Sequence, residues 1–231
     1  MGPYGNNWKS NQLPPHTVTV ATFLLDATEV MVKDYVRFLN DLLPHGTAEP
    51  HHHPLQPLRF VDGVFEPARR SDSTTPIRMV SWYDAATYCA WAGKRLPTEA
   101  EFELAMKGSD EDDRPFPWGR DKPTCDTAVF FTNEALCENR PQPVGSRSVD
   151  SYSPEGVADL SGNVAEWVSD WYAPYTADTL DNPRGPDTGQ HKVLRGGGFR
   201  DSADGLRSMD RLGVDPEKRS EDIGFRCAVS P

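Results

Sequence analysis

The chain lacks any apolar run long enough to cross a bilayer, so no transmembrane segment is expected. It opens without a charged-then-apolar leader, so no signal segment is expected in it. Basic residues are scarce: 24 Lys and Arg stand against 35 Asp and Glu, a formal net charge of −11. A nucleic-acid surface needs clustered Lys and Arg to neutralise phosphates, and that class of partner is excluded. There is no Ser-His-Asp arrangement, no glycine-rich phosphate loop and no zinc spacing. No internal repeat or linker appears either. One domain over residues 1–231 is therefore expected, its first 15 residues forming a polar, Pro-bearing segment on the surface.

What is present points to a loop-rich α+β globule of short strands and about three helices. The 18 glycines and 21 prolines are about 17% of the chain, against a usual ~12%. Thr17 to Leu25 alternates and reads as a strand. Thr28 reads as the N-cap of a helix from Glu29 to about Leu42, because Val32, Tyr35, Val36, Leu39 and Leu43 recur at helical spacing. Residues 44–58, including His51, His52 and His53, read as a solvated loop. Phe60 to Phe65 reads as a hairpin, with Asp62-Gly63 suited to a type I′ turn. Ser81 caps a second helix, Trp82 to Trp91, stopped by Gly93. Thr98 and Glu101 form a capping box for a third, to about Lys107. Acidic residues 110–113 read as solvated loop, residues 114–160 as turns and the stretch to about Gln190 as a further loop. Lys192–Phe199 and Gly224–Ser230 read as closing strands.

The most organised stretch runs from Ala158 to Trp167 and on to Tyr172. A polar turn around Gly162-Asn163 leads into an aromatic strand in which Trp167 and Trp171, four apart, share a face. Asp159 and Glu166 bring carboxylates to either side of the turn, and the carbonyls of Gly162 and Val164 can complete an oxygen-lined cage. Hard cations such as Ca²⁺ take such sets.

This stretch resembles the GN-V/A-x-EW signature of the formylglycine-generating enzyme, or sulfatase-modifying factor, family. Trp91-Ala92-Gly93-Lys94-Arg95-Leu96-Pro97-Thr98-Glu99-Ala100-Glu101, Leu194-Arg195-Gly196-Gly197-Gly198-Phe199 and Ile223-Gly224-Phe225-Arg226-Cys227-Ala228 extend the match in family order from about Thr17 to Val229. The resemblance implies a C-type-lectin-like fold. It also implies a structural calcium ion on Asp159, Gly162, Val164 and Glu166. The family's second calcium site has no clear match.

Four cysteines allow three disulfide pairings. The resemblance implies Cys89–Cys227, which leaves Cys125–Cys137 as a local bridge. Such bridges belong to an oxidising setting, so a secreted, periplasmic or envelope location is expected.

Relatives that oxidise a sulfatase cysteine hold Cu(I) on two closely spaced cysteines just after an Arg-Gly-Gly-Ser-aromatic segment. Here Gly198 replaces the serine, Asp201 falls at the first cysteine position, and the second falls near Leu206. No cysteine lies between Cys137 and Cys227, and a carboxylate is a poor Cu(I) ligand. Copper is therefore not expected. Mixed charges at Arg195, Arg200, Asp201, Asp204 and Arg207 make a candidate cleft for a polar ligand, with a salt-bridged loop network as the alternative. The expected function is a ligand- or protein-binding module stabilised by calcium; the alternative is an oxidoreductase with altered active-site residues.

Overall fold

The apolar stripe predicted for the first helix is real, but its start is displaced. In the computed structural model, which describes residues 9–108 and 114–231, helix α1 spans Val32–Leu42 with Met31 at its N-cap. Residues 26–31 stay out of the helix because tertiary hydrogen bonds claim their backbone. Asp26 and Val30 donate to the carbonyls of Cys227 and Phe225, and Ile77 donates to Val30. Thr28 does not cap; its hydroxyl donates to the Glu29 carbonyl. Along α1, Val32, Tyr35, Phe38 and Leu39 are fully buried, and Tyr35 meets Tyr88 and Phe225 ring to ring.

The first strand is also divided. Strands β1 (Val18–Thr19) and β2 (Leu24–Leu25) are separate, because each pairs with a different partner. The hairpin forms as predicted, from β3 (Leu58–Val61) and β4 (Val64–Pro67). Asp62 and Gly63 take the two positive φ angles that its turn requires, 52° and 86°. Helix α2 (Trp82–Trp91) starts at a reciprocal Ser81–Asp84 capping box, and α3 (Glu99–Lys107) at the predicted Thr98–Glu101 box.

Strand β5 (Ala165–Trp171) is the axis of the molecule. It is flanked by β7 (Lys192–Arg195), antiparallel, and β9 (Ile223–Gly224), parallel; β8 (Leu212–Val214) adds to β7. Its register places Glu166 opposite Arg195 and Trp167 opposite Leu194, then shifts before Trp171. The predicted closing strands are thus shorter than expected, and β8 was missed because its three residues carry no periodicity.

The remaining pairings close the fold. β6 (Leu180–Asp181), inside the predicted loop, pairs with β1, and β10 (Ala228–Val229) pairs with β2. Trp167, Phe225, Cys89 and Cys227 sit in the main core with α1 and α2. Phe102, Met106, Leu160, Val168 and Val193 make a second cluster under α3. Each fully buried large apolar side chain contributes roughly 1.5–3 kcal/mol.

Both disulfides form as the resemblance implied. Cys89–Cys227, with Cα atoms 5.6 Å apart, ties α2 to the last segment, and Cys125–Cys137 closes a local loop. His51 departs from the solvated-loop reading: its Nδ1 lies 3.0 Å from Asp84 Oδ1, at the mouth of the α2 cap. Residues 110–113 and 1–8 lie outside the described residues. Of the N-terminal segment, residues 9–12 are tied down: Gln12 is buried and donates to Asp210. Among the described residues, no helix is long and apolar enough to cross a membrane.

Candidate functional site

The turn before β5 is wound tightly. Asp159 and Asn163 hold positive φ angles of 55° and 63°, uncommon for residues with a side chain. Gly162, at φ 91°, leaves no alternative, since a Cβ there would stand 2.7 Å from the Val129 carbonyl oxygen. The Asn163 side chain fastens the turn to two segments. Its amide donates to Glu29 Oε1 (3.0 Å) and to the Gln142 carbonyl (3.3 Å), and its carbonyl accepts from the Gln142 N–H (2.8 Å).

The predicted oxygen donors meet unequal surroundings. Asp159 Oδ2 accepts the Gly145 N–H at 2.5 Å. Val164 is fully buried. Glu166 is turned to Arg226, which donates to both its oxygens at 2.7 to 3.0 Å. Arg226 also reaches the carbonyls of Ala158 and Asp26, clamping the turn to the C-terminal segment.

Sequence reading missed a further carboxylate, Glu29, which is 1% exposed. It lies 134 residues from Asn163, and nothing local marks it. Burial, with Asp159 adding, pushes its carboxyl well above the usual range; burial also raises Asp159 and Glu166, against the pull of Arg226. Among the described residues no three Asp, Glu, His or Cys side chains form a ready metal cluster. A cation at this turn would rest on Asp159 together with the backbone carbonyls of Gly162 and Val164. The Glu29 and Asp159 carboxyls also hydrogen-bond each other.

The second region is a cavity of about 320 Å³ beside the Gly196–Gly198 bend, lined by Asp201, Asp204, Asp210, Arg211, Lys9 and Asn11. Arg195 is also in its wall but is buried and committed. It donates to Glu103 (2.8 Å) and to the carbonyls of Ser208 (2.6 Å) and Asp210 (2.7 Å). Glu99 is held by Arg211 through two bonds of 2.7 Å. Arg200 and Arg207 are not in the lining. Arg200 pairs with Glu221 at the surface, and Arg207 donates to the Asp204 carbonyl. The predicted cleft thus gathers Arg195, Asp201 and Asp204 only. Lys9 and Asn11 join it from the N-terminal segment, where Lys9 pairs with Asp210 and Asn11 donates to the Arg211 carbonyl.

The positions that resemblance aligned with the copper site are filled in other ways. Asp201 Oδ2 accepts the Gly198 N–H at 2.8 Å. Burial raises its carboxyl above the ordinary range. Leu206 is fully buried, packed with Phe116, Ala128 and Phe130. A Cβ at Gly198 would meet the Asp222 carbonyl oxygen at 2.8 Å, so a serine does not fit this backbone without a shift.

This architecture has known counterparts. It superposes on a solved Treponema denticola variable protein 1 with a TM-score of 0.74, at 24% identity, covering 100% of this chain and 94% of that one. The neighbours share the C-type-lectin-like fold of formylglycine-generating enzymes. In sequence the chain is 34% identical to the serine/threonine-protein kinase Pkn1 of Chlamydia trachomatis, over 94% of this chain but only 35% of that protein. It thus spans about a third of that relative's length. It is 30% identical to the inactive C-alpha-formylglycine-generating enzyme 2 of Mus musculus, over 100% of this chain and 82% of that one. The sulfatase-modifying factor enzyme 1-like domain matches residues 1–231. With the signature turn, the Arg226 clamp and the Cys89–Cys227 bridge all in place, the chain belongs to the sulfatase-modifying factor family.

Proposed function

We propose that this chain is a binding module of its family, without copper-oxidase chemistry, that engages a protein or a small polar ligand through the cleft at Asp201. The observation that carries this reading is Leu206. Near the place where relatives carry their second copper-binding cysteine, an apolar side chain is sealed into a cluster with Phe116, Ala128 and Phe130. Asp201, at the first cysteine position, spends an oxygen on the Gly198 N–H. Neither is a soft ligand for Cu(I).

Calcium belongs to the same reading. Asp159 and the carbonyls of Gly162 and Val164 would hold it, with Glu166 bracing the turn through Arg226. When bound, the ion fastens loops and takes no part in a reaction. The two disulfides fit an oxidising compartment, and we place the module in a secreted, periplasmic or envelope setting.

Incubation of the purified chain with copper, oxygen and a Cys-x-Pro-x-Arg peptide is the direct test. We expect no aldehyde by mass spectrometry; aldehyde at the peptide cysteine overturns the reading.

A further inference from the structure

We propose that the groove between helix α2 and residues 182–187 is a second docking site, and that it takes an acidic, extended peptide segment of a partner protein. This goes beyond the reading above, since the groove shares no lining residue with the cavity at Asp201.

Helix α2 is apolar on two faces. Ala85, Tyr88 and Cys89 enter the core, whereas Trp82, Ala86 and Ala90, spaced four apart, line a cavity of about 770 Å³. That volume lies within the range of ligand clefts, roughly 300–1,000 Å³. The opposite wall is fixed in place. β6 pairs with β1, and Asn182 Oδ1 accepts the Ala21 N–H at 2.6 Å. Gly185 packs so closely that a Cβ there would stand 3.0 Å from the Trp171 carbonyl oxygen. A groove shaped in advance loses little conformational freedom when it is filled.

Charge selects the occupant. The lining holds Lys94, Arg95, Arg184 and Lys192 against Glu101 and Asp187, in a chain whose net charge is −11. Lys94 and Arg95 are engaged by Asp26 and Glu101. Arg184 is exposed on the rim and, among the described residues, meets no carboxylate. Lys192 forms part of the floor. It is 4% exposed, and its ammonium lies 3.9 Å from the ring centres of both Trp82 and Trp171 while donating to the Ser169 carbonyl at 2.7 Å. Among the described residues it pairs with no carboxylate either. Burial lowers the amine to about 8, against the pull of Asp170, as befits a charge short of a counter-ion.

A carboxylate entering the groove supplies that counter-ion, and the alanine and indole walls supply apolar contact beside it. Two unpaired cations are too few for a nucleic-acid backbone, which needs clustered Lys and Arg. A peptide that mixes acidic and apolar side chains meets both features.

The test uses the whole chain and a fluorescein-labelled peptide alternating Glu with Leu, read by anisotropy. The peptide is expected to bind, to weaken as salt is added, and to bind about tenfold more tightly than its Gln-Leu counterpart. Arg184→Glu sets a like charge on the rim, and Ala90→Glu projects a carboxylate from the α2 wall. Both positions are exposed, so thermal melts should match wild type, and each variant is expected to lose about tenfold in affinity. Absence of binding by the folded wild type, equal affinity for the two peptides, or unchanged affinity in either folded variant overturns the proposal. Tighter binding of a DNA oligonucleotide than of the acidic peptide assigns the groove to another class of partner and overturns it too.

Discussion

Single residues carry charge in this molecule that the solvent does not share. Glu103 is buried between Lys107 (2.9 Å) and Arg195 (2.8 Å). Burial alone would raise its carboxyl; the two cations outweigh it and hold it at about 2. A folded value below the unfolded one means that its stabilisation is present above about pH 4.5 and is lost as pH falls towards about 2. Glu103→Gln should therefore flatten the acid limb of stability against pH in that window. It should also cost on the order of 3 kcal/mol at neutral pH, measured by denaturant unfolding. A second residue-scale prediction concerns Gly198. Restoring the family serine by Gly198→Ser puts a Cβ 2.8 Å from the Asp222 carbonyl. It should destabilise by about 1–3 kcal/mol and confer no copper binding, by thermal melts and metal analysis. The charges themselves were visible in the sequence. Their roles were not: Arg195, a cleft candidate by its place beside the glycines, is a buried strut because Glu103, 92 residues away, meets it.

Elements were legible in proportion to how local their causes are. Helix α3 begins where Thr98 and Glu101 can satisfy each other's backbone N–H groups, and both bonds are made, at 3.1 and 2.7 Å. Thr98→Ala should cost about 1 kcal/mol by thermal or chemical unfolding, with the fold retained. Helix α2 and the β3–β4 hairpin were readable for the same reason, through Ser81 and Asp62-Gly63. The start of α1 was not. Glu29 and Val30 have helical neighbours in sequence, yet Val30 is held extended between Phe225 and Ile77. The split of the first strand has the same origin, since β1 and β2 answer to β6 and β10.

At the scale of the whole molecule, the last residues are tied back to three earlier parts of the chain. β2 pairs with β10, Arg226 clamps Glu166, and Cys89 bonds Cys227 across 138 residues of chain. Closing so long a loop restricts the unfolded chain most, and removal of a native bridge typically costs about 2–5 kcal/mol. Replacing Cys89 and Cys227 together with Ser should lower Tm more than replacing Cys125 and Cys137, whose loop is 12 residues. Scanning calorimetry of the two double variants decides it; equal losses would mean that the long bridge constrains nothing extra.

By itself the sequence determined the family, the capped helices, the hairpin turn and the absence of a thiolate pair near Gly198. Each depends on residue identity or on contacts within a few positions. Tertiary structure alone decided which charges are struts and which face the cleft, that Lys9 and Asn11 join it, and that Glu29 stands beside Asp159. Those outcomes depend on side chains brought together across roughly 90 to 200 residues, where no spacing rule operates and only the packing around β5 selects the partner.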